Sequence, residues 1–288
     1  MKKKLPSLLI LAAAFLWGLT GIFVRTLNSA GLDNLQLLFF RSAITCGTLF
    51  VFLFFTDREK LKIDLKDIWY FIGTGVLSFW LFGICYFYTI SHASMSLAAM
   101  LLYTAPFFVM IMSAIFFREK ITAAKILALM TAAIGCVMIC GTDKNTNISP
   151  FIIFTGLASG FCYALYSIFG RVALKKYSSA TVTVYTFLFA AVASMFLTDF
   201  SVIKEVAFAE PSAILLAILF AFISAFFPYI FYTLGLKNTE PGKAAVMATF
   251  EAVVASVAGI LVFNETMTVV ALAGIALVLF SVFLLNRK

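Results

Sequence analysis

The sequence predicts an all-α integral membrane protein of ten transmembrane helices, built as two inverted five-helix repeats. Three observations predict it. First, the 288 residues are 63% hydrophobic and only 12% charged, with a mean hydropathy of +1.08. Soluble domains carry about 25% charged residues, so this composition needs lipid as its solvent. Second, apolar runs broken by charges, proline or Gly/Asn/Asp clusters recur along the chain, each long enough to cross ~30 Å of hydrocarbon. Third, the chain repeats itself. "LAAAFLWGLTGIFVR" (Leu11–Arg25) and "LASGFCYALYSIFGR" (Leu157–Arg171) share Leu, Ala, Phe, Leu, Ile, Phe and Arg at an offset of 146 residues.

The ten runs follow in order. The first, 7–27, comes after Lys2, Lys3 and Lys4 and resembles a signal peptide, with Ala12 to Ala14 as a mimic of a cleavage site. Its apolar stretch is too long for that, which favours an uncleaved first span. The second, 35–55, carries Arg41. The third and fourth are 67–90 and 95–117, the latter holding Pro106. The fifth is 122–141. The sixth, 150–170, opens the second copy. The seventh and eighth are 179–198 and 212–235, the latter holding Pro228. The ninth is 244–263, with Glu251 inside it, and the tenth is 268–286. None alternates strictly along its length, and lipid admits only helices or closed barrels, so helices are preferred.

Charge orients the spans. With the amino terminus in the cytoplasm, 17 of the 21 Lys and Arg fall in cytoplasmic segments. Only Lys144 and Lys204 fall outside, and Arg25 and Arg41 lie in or at the ends of spans. Such a bias is the positive-inside pattern, and both termini are expected in the cytoplasm. The net charge of +8 is therefore topogenic, with no nucleic acid implied. Cys46, Cys85, Cys136, Cys140 and Cys162 all sit in apolar runs. Cys136 and Cys140 stand one helical turn apart, which suits a metal, but buried cysteine is ordinarily a small apolar residue. No metal or cofactor is expected.

A repeat of five spans re-enters the membrane from the opposite side. The repeats are expected at 1–143 and 144–288. Further echoes support them: "FFREKIT" and "VFNETMT" share Phe117/Phe263, Glu119/Glu265 and Thr122/Thr268, and "FYTI" echoes "FYTL". Inverted repeats let a membrane protein exchange inward-open and outward-open states around a midplane site. Transport is the function they point to.

The features "AAAFLWG", Arg41 in "FFRSAIT", "YTISHASMSLAAMLLYTAPF" before "FFREKIT", and "YTLGLKNTEPGKAAVMATFEAV" before "FNETMT" resemble the drug/metabolite transporter superfamily, EamA type. The resemblance covers essentially the whole chain. It implies ten helices, a central cavity and export of small metabolites, commonly amino acids. Ala252 stands where the family usually has proline, so the ninth helix is expected to be less kinked.

Glu251 is the most informative residue. It lies about eight residues, ~12 Å, into its span, where an ionised carboxylate costs at least ~2.5 kcal/mol. It reads as a site for an amine or a proton, or as a partner of another buried group such as Arg41. Arg41 can hold a substrate carboxylate in a bidentate fork, or snorkel, or pair with Glu251. Trp17 and Tyr163 occupy equivalent places in the two copies and are candidate cavity walls, since aromatic faces suit apolar groups and ammonium alike. Trp80, Tyr86, Tyr103 and Tyr229 are further substrate-binding candidates. Pro106 and Pro228 are candidate hinges. His92 reads as a solvated loop histidine.

Nucleophile elbows, HExxH and phosphate loops are absent from the sequence, and so is a polar domain for ATP. An enzyme is not expected. The expected partners are a small-molecule solute and the bilayer of the inner or plasma membrane, and a monomer is compatible with the pattern. The favoured function is export of amino acids or related amines by alternating access. The alternatives are a cationic drug or quaternary amine exporter, and a lipid scramblase or passive membrane subunit.

Overall fold

The computed structural model describes residues 5–93, 95–141, 149–264 and 268–286. Glu265, Lys144 and the expected repeat junction at 143/144 lie outside them. Every element among the described residues is helical. Among the described residues nine helices are long and apolar enough to cross a membrane, and the pair Ser179–Met195 and Phe200–Ala209, bent by 97°, makes a tenth if taken as one span. The chain is a multi-pass membrane protein.

Helix ends follow local chemistry. Asp33 caps the second span, Asn34–Thr56, by accepting from the Leu35 and Gln36 amides, while Gln36 accepts from the Asp33 amide at 2.6 Å. This reciprocal box satisfies donors that a helix start leaves orphaned. Ser149 with Pro150, and Ser178, start the sixth and seventh spans, Pro150–Ala173 and Ser179–Met195. Proline at a first turn costs nothing, because that amide has no intrahelical partner.

The two halves echo each other in backbone irregularities. A π-helical turn interrupts the third span at Gly73–Trp80, and another interrupts the eighth at Phe222–Phe226. Pro228 explains the second: without an N–H it cannot complete the ladder onto the preceding turn. Glycine explains the first. A Cβ on Gly75 would stand 2.4 Å from the Thr186 carbonyl oxygen, so the turn packs flush on the seventh span. The fourth span breaks between Met95–Leu102 and Ala105–Phe117, and the ninth between Pro241–Ala248 and Phe250–Phe263. At both breaks a threonine hydroxyl bonds back to a carbonyl: Thr104 to Leu101 at 2.6 Å and Thr249 to Val246 at 2.7 Å. The ninth span, with Ala252 in place of proline, is interrupted at one residue, Thr249, and the fourth at two, Tyr103 and Thr104. The threonine interrupts the ladder there. Both spans end in left-handed residues, Arg118 at φ 54° and Asn264 at φ 53°, again 146 positions apart.

The repeats interlock. The first span, Leu5–Gly18 with Thr20–Ser29, packs on the eighth and ninth spans; the sixth packs on the third and fourth. Gly18 makes the first of these contacts possible, since a Cβ there would lie 2.8 Å from the Glu251 carbonyl oxygen. The fifth span, Ala123–Cys140, crosses the tenth, Val269–Asn286, where Gly135 and Gly274 face each other's carbonyls. Small residues at such crossings let backbones approach in lipid.

The basic loops meet on one face. Thr181 donates to the Lys60 carbonyl at 2.8 Å and Tyr185 to the Leu61 carbonyl at 2.7 Å. Lys176 pairs with Asp64 and Asp67, and these two carboxylates push its ammonium up from the ordinary lysine value. Nearby, Lys125 bridges Glu119 and Glu240, each at 2.7 Å. Lys125 thus ties the two halves together, holding Glu119 of its own half and Glu240 of the other. Arg171 donates to the Leu236 and Lys237 carbonyls, both at 2.6 Å, and closes the end of the eighth span.

Candidate functional site

At the centre, the first, third, sixth and eighth spans bring their aromatic residues together. Trp17 stands 5.3 Å from both Tyr229 and Tyr232 and 6.4 Å from Tyr163, measured between ring centroids. Phe79 and Phe82 join from the third span, 5.7 Å from Tyr229 and 5.5 Å from Tyr163. These rings surround a small chamber whose remaining wall is Ser78, Tyr166 and Ser167. Its free core has room for about one water molecule. Ser167 and Tyr232 share a hydrogen bond of 2.8 Å across the wall, joining the sixth span to the eighth. The Tyr163 and Tyr166 hydroxyls are buried without a hydrogen-bond partner.

Glu251 approaches this chamber from the ninth span. It is the second residue after the break at Thr249 and the tenth after Pro241. That places it ~15 Å along the span, midway through ~30 Å of hydrocarbon. Its carboxylate lies within electrostatic reach of the Tyr86, Tyr103, Tyr163, Tyr229 and Tyr232 hydroxyls. Among the described residues no cation pairs with it. The expected pairing with Arg41 is thus not formed. Arg41 instead places its guanidinium 4.4 Å over the Phe79 ring.

The family model for EamA-like transporters matches the chain twice, over residues 4–141 and 150–287. The chain belongs to the EamA-like transporter family. Two copies of one model, joined in series, account for the paired irregularities of the two halves. An Archaeoglobus fulgidus protein named an uncharacterized transporter is 27% identical over 97% of this chain and 95% of its own length. A pseudopaline exporter of Pseudomonas aeruginosa is 30% identical over 65% of this chain and 63% of its own. An inner membrane transporter of Salmonella typhimurium is 22% identical over 96% and 93%. A solved crystal structure superposes with a TM-score of 0.80 over 98% of this chain and 96% of its own, at 14% identity, which fixes the fold. This EamA-like protein is therefore a membrane transporter of small molecules and not an enzyme.

The site candidates divide within this frame. Trp17, Tyr163 and Tyr229 line the chamber, and Glu251 lies outside its wall, within electrostatic reach of Tyr163 and Tyr229. Tyr86 stands behind Phe82, 5.5 Å from its ring. Tyr103 packs beside Cys136, Ala252 and Val253. Trp80 packs on the main core with its indole nitrogen buried and unpartnered, away from the chamber wall. Pro106 is the second residue after the break of the fourth span, and Pro228 follows the π-turn of the eighth. Each proline sits beside an irregularity rather than inside a regular helix. Among the described residues no group of three His, Cys, Asp or Glu is placed to hold a metal, so Cys136 and Cys140 have no third ligand. His92 is not a free loop residue; it ends a helix stacked 4.0 Å from Tyr88.

Sequence reasoning missed Ser78, Phe79, Phe82, Tyr166, Ser167 and Tyr232. Helical spacing held the signal for three of them. Tyr166 and Ser167 lie three and four residues after Tyr163, and Tyr232 lies three after Tyr229, which puts them on the same helix faces.

Proposed function

We propose that this transporter exports amino acids or related amines by alternating access, with Glu251 receiving the ammonium group. The observation that carries the reading is an unpaired carboxylate midway along the ninth span, within electrostatic reach of three tyrosines that line an aromatic chamber. A charge there costs at least ~2.5 kcal/mol in insertion terms. A cationic ligand offsets that cost, and aromatic faces add ~0.5–2 kcal/mol for an ammonium. The repeats, taken as 1–143 and 144–288, rock against each other around this point, using the irregularities beside Pro106 and Pro228. The basic face is the cytoplasmic one, so both termini lie in the cytoplasm of the cell in whose inner or plasma membrane the protein sits. One of the relatives is named a pseudopaline exporter, in keeping with export.

The purified chain is melted in detergent against a panel of amino acids, polyamines and quaternary ammonium compounds. A ligand of the folded state raises the melting temperature by mass action. Stabilisation by amino acids or small amines, lost in Glu251→Gln, is the expected result. Stabilisation by bulky cations alone would replace this reading with a drug exporter. Stabilisation that survives in Glu251→Gln would remove the carboxylate from the site.

A further inference from the structure

We infer that Arg41 is a second, anion-binding pole of the same site, so that the preferred solute carries a carboxylate as well as an amine. This rests on the amine reading of Glu251 given above. Arg41 lies on the second span with its guanidinium 4.4 Å over Phe79, a ring of the chamber wall. Among the described residues no carboxylate pairs with it, and its Nε is buried without a hydrogen-bond partner. The Phe79 ring and the neighbouring Tyr229 hydroxyl are neutral and leave the guanidinium without a counter-charge. A desolvated cation–π contact contributes ~2 kcal/mol, while a buried ion costs several.

The two charges flank the same tyrosines. Tyr163 and Tyr229 lie within electrostatic reach of both Arg41 and Glu251, yet the charges make no ion pair with each other. Opposite charges held beside one chamber without meeting are compensated by a molecule with both signs. The repeat strengthens the point. At the 146-residue offset, Arg41 corresponds to Phe187 and Glu251 to Ala105, both buried apolar residues. Neither charge is duplicated, so neither is required by the scaffold that the halves share. A guanidinium also grips a carboxylate through two parallel N–H donors, which fixes orientation as well as charge.

The full-length protein is tested with matched probes: phenylalanine, phenethylamine and 3-phenylpropanoate, and the same trio built on leucine. Melting shifts over a concentration series give relative affinities. The zwitterion is expected to bind at least tenfold more tightly than its amine. Arg41→Gln is expected to erase that preference while leaving the amine affinity within twofold. Arg41→Lys, which keeps a point charge without the fork, is expected to restore part of it. If Arg41 only supports the fold, Arg41→Gln will lower the melting temperature of the ligand-free protein and weaken amine and zwitterion by the same factor. That result would overturn the proposal. Amines and zwitterions that bind equally well in the wild type, and through Glu251, would overturn it too while sparing the amine reading. No stabilisation by either class would overturn both.

Discussion

Removing the Lys125 ammonium is the sharpest perturbation of the transport cycle that the structure offers. Lys125 belongs to the first half, and it bridges Glu119 of its own half to Glu240 of the second. The Glu119 side chain is 6% exposed and that of Glu240 is 55% exposed. The two arms therefore differ in value. The exposed arm is screened and contributes at most ~1 kcal/mol. The buried arm matters more, because Lys125→Met strands a carboxylate away from water, at a cost of roughly 3–5 kcal/mol. Glu119 has one further donor, the Gly242 amide at 3.4 Å, which brings the expected loss to the low end, about 3 kcal/mol. The loss falls on the state in which the basic face is closed: Gly242 of the second half covers the Glu119 carboxylate, so opening that face lets water reach it as well as separating Glu240 from Lys125. A shift of about 3 kcal/mol moves the balance of states by roughly 150-fold, at 1.36 kcal/mol per tenfold. The assay is maleimide labelling of a cysteine placed at Ser167, in a background without other cysteines. Inside-out vesicles expose the basic face to the reagent. Lys125→Met should raise the labelling rate by at least tenfold, and Lys125→Arg should leave it near the parent rate. Equal labelling in all three proteins would refute the idea that this bridge keeps the face shut.

Other predictions test the packing. Gly274→Ala should lower the melting temperature by several degrees, because its Cβ would stand 2.6 Å from the Gly135 carbonyl oxygen; an unchanged melt would show that the fifth and tenth spans can separate freely. Thr249→Val should cost ~0.5–1.5 kcal/mol, the usual net value of one hydrogen bond, and Thr104→Val the same, checked by parallel denaturation of both variants. Tyr232→Phe removes the bond to Ser167 and should reduce transport more than stability, measured as flux and melting temperature on the same preparation.

The fold was legible because lipid makes it so. With no water to satisfy backbone groups, each span must be a helix of sufficient apolar length, and the third, fifth, sixth and tenth fall within a few residues of their expected bounds. The repeat in Leu11–Arg25 and Leu157–Arg171 also carried real geometry, since Trp17 and Tyr163 face one chamber. Other features were hidden for physical reasons. The π-turn at Gly73–Trp80 depends on the seventh span approaching Gly75, which no local pattern states. The break at Thr249 comes from a hydroxyl that could equally have faced lipid. The helix Phe200–Ala209 read as a loop because it is short and follows a sharp turn, although Val202, Ile203 and Val206 mark its packed face. The sequence singled out both Arg41 and Glu251, but spacing along the chain cannot say whether two charges meet. The structure keeps them unpaired, with Tyr163 and Tyr229 within electrostatic reach of both.

Flux through Glu251 tests the central claim most directly. Wild type and Glu251→Gln are reconstituted at equal density, and uptake of a labelled amino acid that stabilises the wild type is followed in proteoliposomes. The account predicts at least a tenfold loss of flux in the variant, with its melting temperature preserved or raised. Undiminished flux in a folded Glu251→Gln protein would contradict it.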